Sequence, residues 1–294
     1  MVQLLKKTMV LLLVGALMAG LVGCQSGGGE AGERGEVKGT IHFGYVNWDE
    51  AIAMTHLLQA IIEDKLGYQV ETTQADVGPV FQGVAKGDFD AFVDTWLPVT
   101  HEAYLAEFGD QFDLYEDPVY EGARIGLVVP AYVEIDSIEE MNSVKDKFNG
   151  QIVGIDAGAG IMRTTETAIQ EYGLELELVK SSGPAMTASL ASAIDDNEWV
   201  VVTGWSPHWK FARWELKYLE DPKGIYGAEE HIYAIARKGL EEDAPDVAKL
   251  LKNFKMNDVQ LGTLEDYINE GMDPVDAGRR WMEENPDVVD SWLK

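Results

Sequence analysis

Between residue 40 and about residue 205, apolar runs of strand length alternate with segments of helical periodicity. That alternation limits the possible folds more than any other feature of the chain. Strand, helix and strand in succession build a largely parallel sheet with helices packed on its faces, so the class is α/β. The first series reads Ile41–Val46 as a strand, then a helix capped by Asp49 that runs to Lys65 and stops at Gly67. A strand over Tyr68–Thr72, a short helix over Val80–Lys86 and a strand over Phe89–Val93 follow. Arg124–Pro130 reads as a buried strand ended by proline.

A second series then begins. Gln151–Ile155 is a strand, and a glycine-rich turn leads to a helix from about Ile161 to Tyr172 with Gly173 as its stop. Leu174–Lys180 is a strand, a helix follows Ser181-Ser-Gly-Pro184, and Trp199–Thr203 is a strand. Residues 230–237 read as one more strand and the remainder, to Lys294, as helices. Two βα series with a helical tail predict two lobes, one from residues 39–128 plus 215–294 and the other from residues 129–214. A cleft between such lobes suits a small ligand, and hinged clefts close around what they bind.

Trp48, Trp96 and Trp205 each follow one of the expected strands, and ligands in open α/β sheets collect beyond the carboxyl ends of strands. An indole face attracts cations. An ammonium with N–H groups also recruits a carboxylate, whereas a quaternary ammonium has no donor to satisfy, so aromatic walls alone suit it. The competing reading is that each tryptophan packs between loops.

The turn Gly158-Ala-Gly160-Ile161 opens a helix, where free N–H groups and the helix dipole favour an anion. Its spacing is not that of a dinucleotide fingerprint and no P-loop lysine follows, so phosphate and dinucleotide ligands are not expected. His101, in Trp96-Leu-Pro-Val-Thr-His101, is placed to donate to the same anion, although a lone histidine near a helix start is more often structural. His208 offers a partner for a metal at His101, but no carboxylate or cysteine at suitable spacing supports one, so no metal or other cofactor is expected. Ser206 lacks a nucleophile elbow and no nucleophile–base–orienter set stands out, which points away from an enzyme. A cation cage and an anion site together describe a zwitterion with a quaternary ammonium at one end and a carboxylate at the other, a betaine.

The N-terminus has its own logic. Lys6 and Lys7 precede an apolar run, Met9–Leu21, too short to span a bilayer, and Leu21-Val-Gly-Cys24 resembles a lipobox. Residues 1–23 are therefore expected to be a lipoprotein signal peptide, with Cys24 the lipidated residue and 24–38 a flexible glycine-rich tether. Fully stretched, that tether reaches roughly 45 Å. Cys24 is the single cysteine, so no disulfide forms within the chain. Formal net charge is −28, and loss of Lys6 and Lys7 makes it −30, which excludes a basic footprint for nucleic acid. An ordinary solvated acidic surface and a saline habitat both account for that charge.

Five stretches together resemble the glycine-betaine-binding proteins of bacterial ABC-type osmoprotectant importers: Gly44-Tyr-Val-Asn-Trp48-Asp49, Trp96-Leu-Pro-Val-Thr-His101, Gly158-Ala-Gly160-Ile161-Met162, Ser182-Gly-Pro-Ala-Met-Thr187 and Gly204-Trp205-Ser-Pro-His-Trp209. The resemblance covers residues 39–294. It implies a two-lobed periplasmic-binding-protein fold (type II-like) whose lobes are mixed, mostly parallel sheets flanked by helices. It further implies that Trp48, Trp96 and Trp205 form a prism around the trimethylammonium, while the N–H groups of Gly160 and Ile161 and the His101 side chain hold the carboxylate. The implied partners are a betaine ligand, an ABC permease with its ATPase, and a membrane held through the lipid on Cys24. The expected form is a monomer outside the cytoplasm, in a Gram-positive rather than a Gram-negative envelope. Proline betaine fits the same cage. Choline or carnitine binding, and ligand sensing for a partner receptor, are the alternatives.

Overall fold

The computed structural model describes residues 37–294; the expected signal peptide, Cys24 and most of the tether lie outside the described residues. The first series comprises β1 (Thr40–Tyr45), α1 (Asp49–Ile61), β2 (Gln69–Gln74), α2 (Val77–Lys86), β3 (Ala91–Leu97), α3 (Glu102–Phe108), β4 (Phe112–Leu114) and β5 (Tyr120–Pro130). The second comprises β6 (Gln151–Val153), α4 (Gly160–Tyr172), β7 (Glu177–Val179), α5 (Gly183–Asp195), β8 (Val202–Ser206), α6 (Lys210–Arg213) and β9 (Leu216–Tyr218). The chain ends with β10 (Glu230–Arg237), α7 (Leu240–Asp243), α8 (Pro245–Asn253), α9 (Asp258–Asn269), α10 (Pro274–Glu284) and α11 (Pro286–Leu293).

The βα repeats give the parallel ladders expected of them: β1 pairs β2 and β3, and β6 pairs β7 and β8. Strand β10 runs antiparallel to β3, β4 and β5, and β5 runs antiparallel to β8 and β9, so the sheets are mixed. Strand β5 belongs to both halves. Tyr120–Ala123 pair with β10, and Arg124 onward pairs with β8. Pairing in the second sheet extends to Tyr218 of β9. The change of partner falls between Ala123 and Arg124, within one continuous strand.

Local chemistry sets the helix ends. Helix α1 continues through a wider terminal turn over Ile62–Leu66 and stops at Gly67, whose φ of 78° is left-handed and costs glycine little. Gly173 stops α4 in the same way, at φ 61°. Asp49 is not the cap of α1. Trp48 holds that position, Asp49 is the first helical residue, and its carboxylate is engaged by the Trp209 indole instead. The buried face of α1 (Ala51, Met54, Leu57, Leu58, Ile61) packs against β3, α9 and α10, which fixes the helix start that carries Trp48. Two tryptophans also sit differently from expectation: Trp96 and Trp205 are the penultimate residues of β3 and β8, and only Trp48 follows its strand.

Candidate functional site

The three tryptophans line one cavity of about 270 Å³. Trp48 comes from the start of α1, Trp96 from β3 and Trp205 from β8, and all three are at least 95% buried. The Trp48 and Trp205 rings lie 6.4 Å apart and are tilted by 54°, close to the angle between two walls of a triangular prism. The cavity's remaining lining is Glu50, Thr100, Ile125, Ile155, Ala159, Gly160 and Ile161.

Two of the indoles are fixed through their N–H groups. Trp205 Nε1 donates to Glu50 Oε2 at 2.9 Å, and Trp96 Nε1 donates to Asp94 Oδ1 at 2.8 Å. Both carboxylates are fully buried. A hydrogen bond from Nε1 to a carboxyl oxygen fixes the orientation of each ring.

The same cavity is lined by Gly160 and Ile161, the first residues of α4. No backbone hydrogen bond uses either N–H, as expected of a helix's first residues, so both remain free for an anion. Gly160 is required by space. A Cβ there would lie 1.9 Å from Thr100 O, so only glycine lets the α4 start approach the segment after β3. That segment is itself held rigid by buried Glu230, which accepts from the N–H groups of Val99 and Thr100 at 2.8 and 2.9 Å and from the Thr100 hydroxyl.

His101 stands just outside the lining residues. It is fully buried and stacks on Trp48 with centroids 5.9 Å apart. Its Nδ1 accepts from the Trp96 N–H at 2.9 Å, which places the proton of the neutral ring on Nε2. Among the described residues Nε2 has no hydrogen-bond partner. Burial, with the nearby Arg163 cation, pushes the His101 pKa down to about 3, so the ring is a neutral donor at physiological pH.

A set of contacts spans the cleft between the segment after β3 and the segment after β6. Tyr104 donates to Gly158 O at 2.8 Å and Arg163 donates to Thr100 O at 3.2 Å, while a second Arg163 bond, to Gly158 O at 2.8 Å, stays on its own side. On the other flank, Trp209 Nε1 donates to Asp49 at 2.7 Å, and His208 Nε2 lies 3.2 Å from the same carboxylate. His208 therefore stands beside α1, and among the described residues no group of three or more metal-ligating side chains forms.

The sequence pattern did not single out Glu50, Thr100, Ile125, Ile155, Ala159, Arg163 or Lys210. Glu50 was hidden by its position, since an acidic residue in a first helical turn already has a sufficient reason to be there. The aliphatic walls carry no signal that separates them from core.

Residues 39–284 match the protein family described as the substrate-binding domain of an ABC-type glycine betaine transport system. The glycine betaine/carnitine transport binding protein GbuC of Listeria monocytogenes is 44% identical over 150 residues, which is 50% of this chain and 50% of that protein. Lactococcal OpuAC, in a closed-liganded crystal structure with glycine betaine, is 36% identical with a TM-score of 0.82, covering 87% of this chain and 99% of that one. The glycine betaine/L-proline-binding protein ProX of Borrelia burgdorferi is also 36% identical, with a TM-score of 0.83 over 87% of this chain and 97% of that one. Among the described residues no helix is long and apolar enough to cross a membrane.

Proposed function

The chain belongs to the family of substrate-binding domains of ABC-type glycine betaine transport systems, and from that membership we propose that it captures glycine betaine outside the cytoplasm and delivers it to an ABC permease driven by a cytoplasmic ATPase. Such proteins are transport components rather than an enzyme class, and no reaction is assigned to this chain. The observation that carries the reading is that three buried indoles and two residues with unused helix-start N–H groups line the same cavity.

In this reading Trp48, Trp96 and Trp205 surround the trimethylammonium, and the N–H groups of Gly160 and Ile161 with His101 Nε2–H hold the carboxylate. Lobe one (39–128 plus 215–294) supplies Trp48, Trp96 and His101, and lobe two (129–214) supplies Trp205, Gly160 and Ile161. The ligand then bridges the lobes, and the Tyr104–Gly158, Arg163–Thr100 and Trp209–Asp49 contacts form as they close. Three desolvated cation–π contacts supply about 2 kcal/mol each at best, and two or three charge-assisted hydrogen bonds add about 1.5–3 kcal/mol each. Closure and ligand ordering take back several kcal/mol, leaving a net near −8 kcal/mol, or roughly micromolar affinity.

Cys24 would carry the lipid, and the tether would hold a monomeric domain near a Gram-positive membrane. Proline betaine enters the same cage. Calorimetric titration with glycine betaine, proline betaine, carnitine and choline tests the assignment. Betaines should bind far more tightly than choline, which has no carboxylate. Choline binding as tight as betaine would remove the roles given to Gly160, Ile161 and His101.

A further inference from the structure

Around Trp205, reaching the cavity wall at Glu50, lies a cluster of buried ionisable groups that the cage and the carboxylate clamp do not account for. Lys210 is fully buried, yet its ammonium donates only to Trp205 O at 3.1 Å and otherwise rests against the Trp205 ring, 4.2 Å from its centroid. Trp205 lines the cavity and Lys210 does not, so the two groups meet at the indole. Asp49 and Glu50 face it from α1, Glu265 from α9 and His208 from the segment after β8, while Asp94 of β3 adds to the charge around Glu50.

The cluster is short of partners. Glu50 Oε1, Asp94 Oδ2 and both Glu265 oxygens are buried without a hydrogen bond. Four carboxylates and one ammonium cannot all be charged in such a place, because burial disfavours each charge and the carboxylates repel one another. Burial pushes the Glu50 carboxyl up to about 8 and Lys210 down to about 7, and it raises Glu265 and Asp94 as well. His208 is pushed down and stays neutral. The cluster therefore holds protons that it can give up near neutral pH, and these belong to the group of residues jointly rather than to one side chain.

We propose that the Glu50–Lys210–Glu265 cluster around Trp205 releases a proton to solvent when the cage takes up a quaternary ammonium, which makes Glu50 and Lys210 affinity-setting positioning residues. The inference rests on the betaine-binding reading given above. A fixed positive charge placed beside Glu50 favours its ionised form and disfavours an ammonium 4.2 Å from the centroid of the same indole. Both effects expel a proton, and the released proton leaves Trp205 flanked by Glu50 carboxylate and a less charged Lys210. The indole then no longer shares its π density between two cations. Affinity should accordingly rise with pH, by up to about tenfold per unit where a whole proton is released per ligand. The ligand's own carboxylate titrates far below this range, and His101, at about 3, contributes nothing to it.

The test is calorimetry of the whole protein with glycine betaine, in phosphate and in Tris at pH 7.5, followed by dissociation constants from pH 6 to 9. The buffer dependence of the heat should show release of about 0.3–1 proton per ligand. Glu50→Gln should reduce that number. The parent protein's proton count is decisive even if the variant does not fold. Identical heats in the two buffers together with a flat pH profile would overturn the inference while leaving betaine binding intact. No betaine heat at any pH would instead overturn the binding reading, and this inference with it.

Discussion

Gly160→Ala separates closure from folding. A methyl at this position would sit 1.9 Å from Thr100 O, 2.6 Å from Thr100 Cγ2 and 2.7 Å from the Thr100 carbonyl carbon. Thr100 cannot yield, because Glu230 holds its N–H and its hydroxyl. The α4 start and the segment after β3 must then stay apart by at least about 1 Å more, enough to carry a hydrogen bond of ordinary length towards the limit where it fails. Losing two charge-assisted bonds to the ligand carboxylate costs about 3–6 kcal/mol, a fall in betaine affinity of roughly 100-fold to 10,000-fold. The open protein has no such clash, and alanine is the better helix former by up to about 1 kcal/mol. Ligand-free melting should therefore be unchanged or slightly higher, while calorimetric binding collapses. Betaine affinity within threefold of the parent would refute the account of how the cavity is closed.

Trp205→Ala should cost at least about tenfold in betaine affinity through loss of one cation–π wall, and unchanged calorimetric binding would remove Trp205 from the cage. Arg163→Ala deletes the bond to Thr100 O across the cleft, and with it the bond to Gly158 O, while Arg163 itself does not line the cavity. Stopped-flow fluorescence should show its effect mainly as faster betaine release, by roughly 5- to 100-fold for about 1–3 kcal/mol; a change confined to the association rate would argue against a latch. The pKa of His101, held near 3 by burial, lies below its unfolded value, so the unfolded chain binds the extra proton between the two. Stability from this residue is complete above about pH 6.5 and lost as pH falls toward 3, by up to about 1.4 kcal/mol per unit. Urea unfolding from pH 7 to 4 should show a slope that is smaller in His101→Gln, and equal slopes would contradict the burial argument.

Where the chain carries strong local chemistry, its structure was legible from sequence. Residues 230–237 form β10 with the bounds expected, and Gly67 and Gly173 end their helices as expected. Other boundaries moved because tertiary contacts override local pattern. The strand expected from Phe89 begins at Ala91, since Phe89 packs against Gly44 and Gly83 instead of entering the ladder. Asp94 and Thr95 interrupt the apolar run yet are fully buried, and so β3 reaches Leu97 and takes Trp96 into the sheet. Strands β4 and β9 fall outside the regular βα alternation that made the equally short β6 and β7 readable, and their pairing with β10 and β5 depends on residues distant in sequence. At the site, tryptophan and the Gly-Ala-Gly turn announce themselves by size and spacing. The role of Glu50 depends on Trp205, 155 positions away, and no local pattern encodes that pairing.

The central claim is that the cage reads positive charge rather than shape. Its most direct test is parallel calorimetry of glycine betaine and 3,3-dimethylbutanoate, in which carbon replaces the ammonium nitrogen and the carboxylate is retained. The two fill nearly the same space and present the same group to Gly160 and Ile161. The account predicts that the neutral-headed isostere binds at least about 100-fold more weakly, the loss of three cation–π contacts of about 1–2 kcal/mol each. Equal affinities would contradict it.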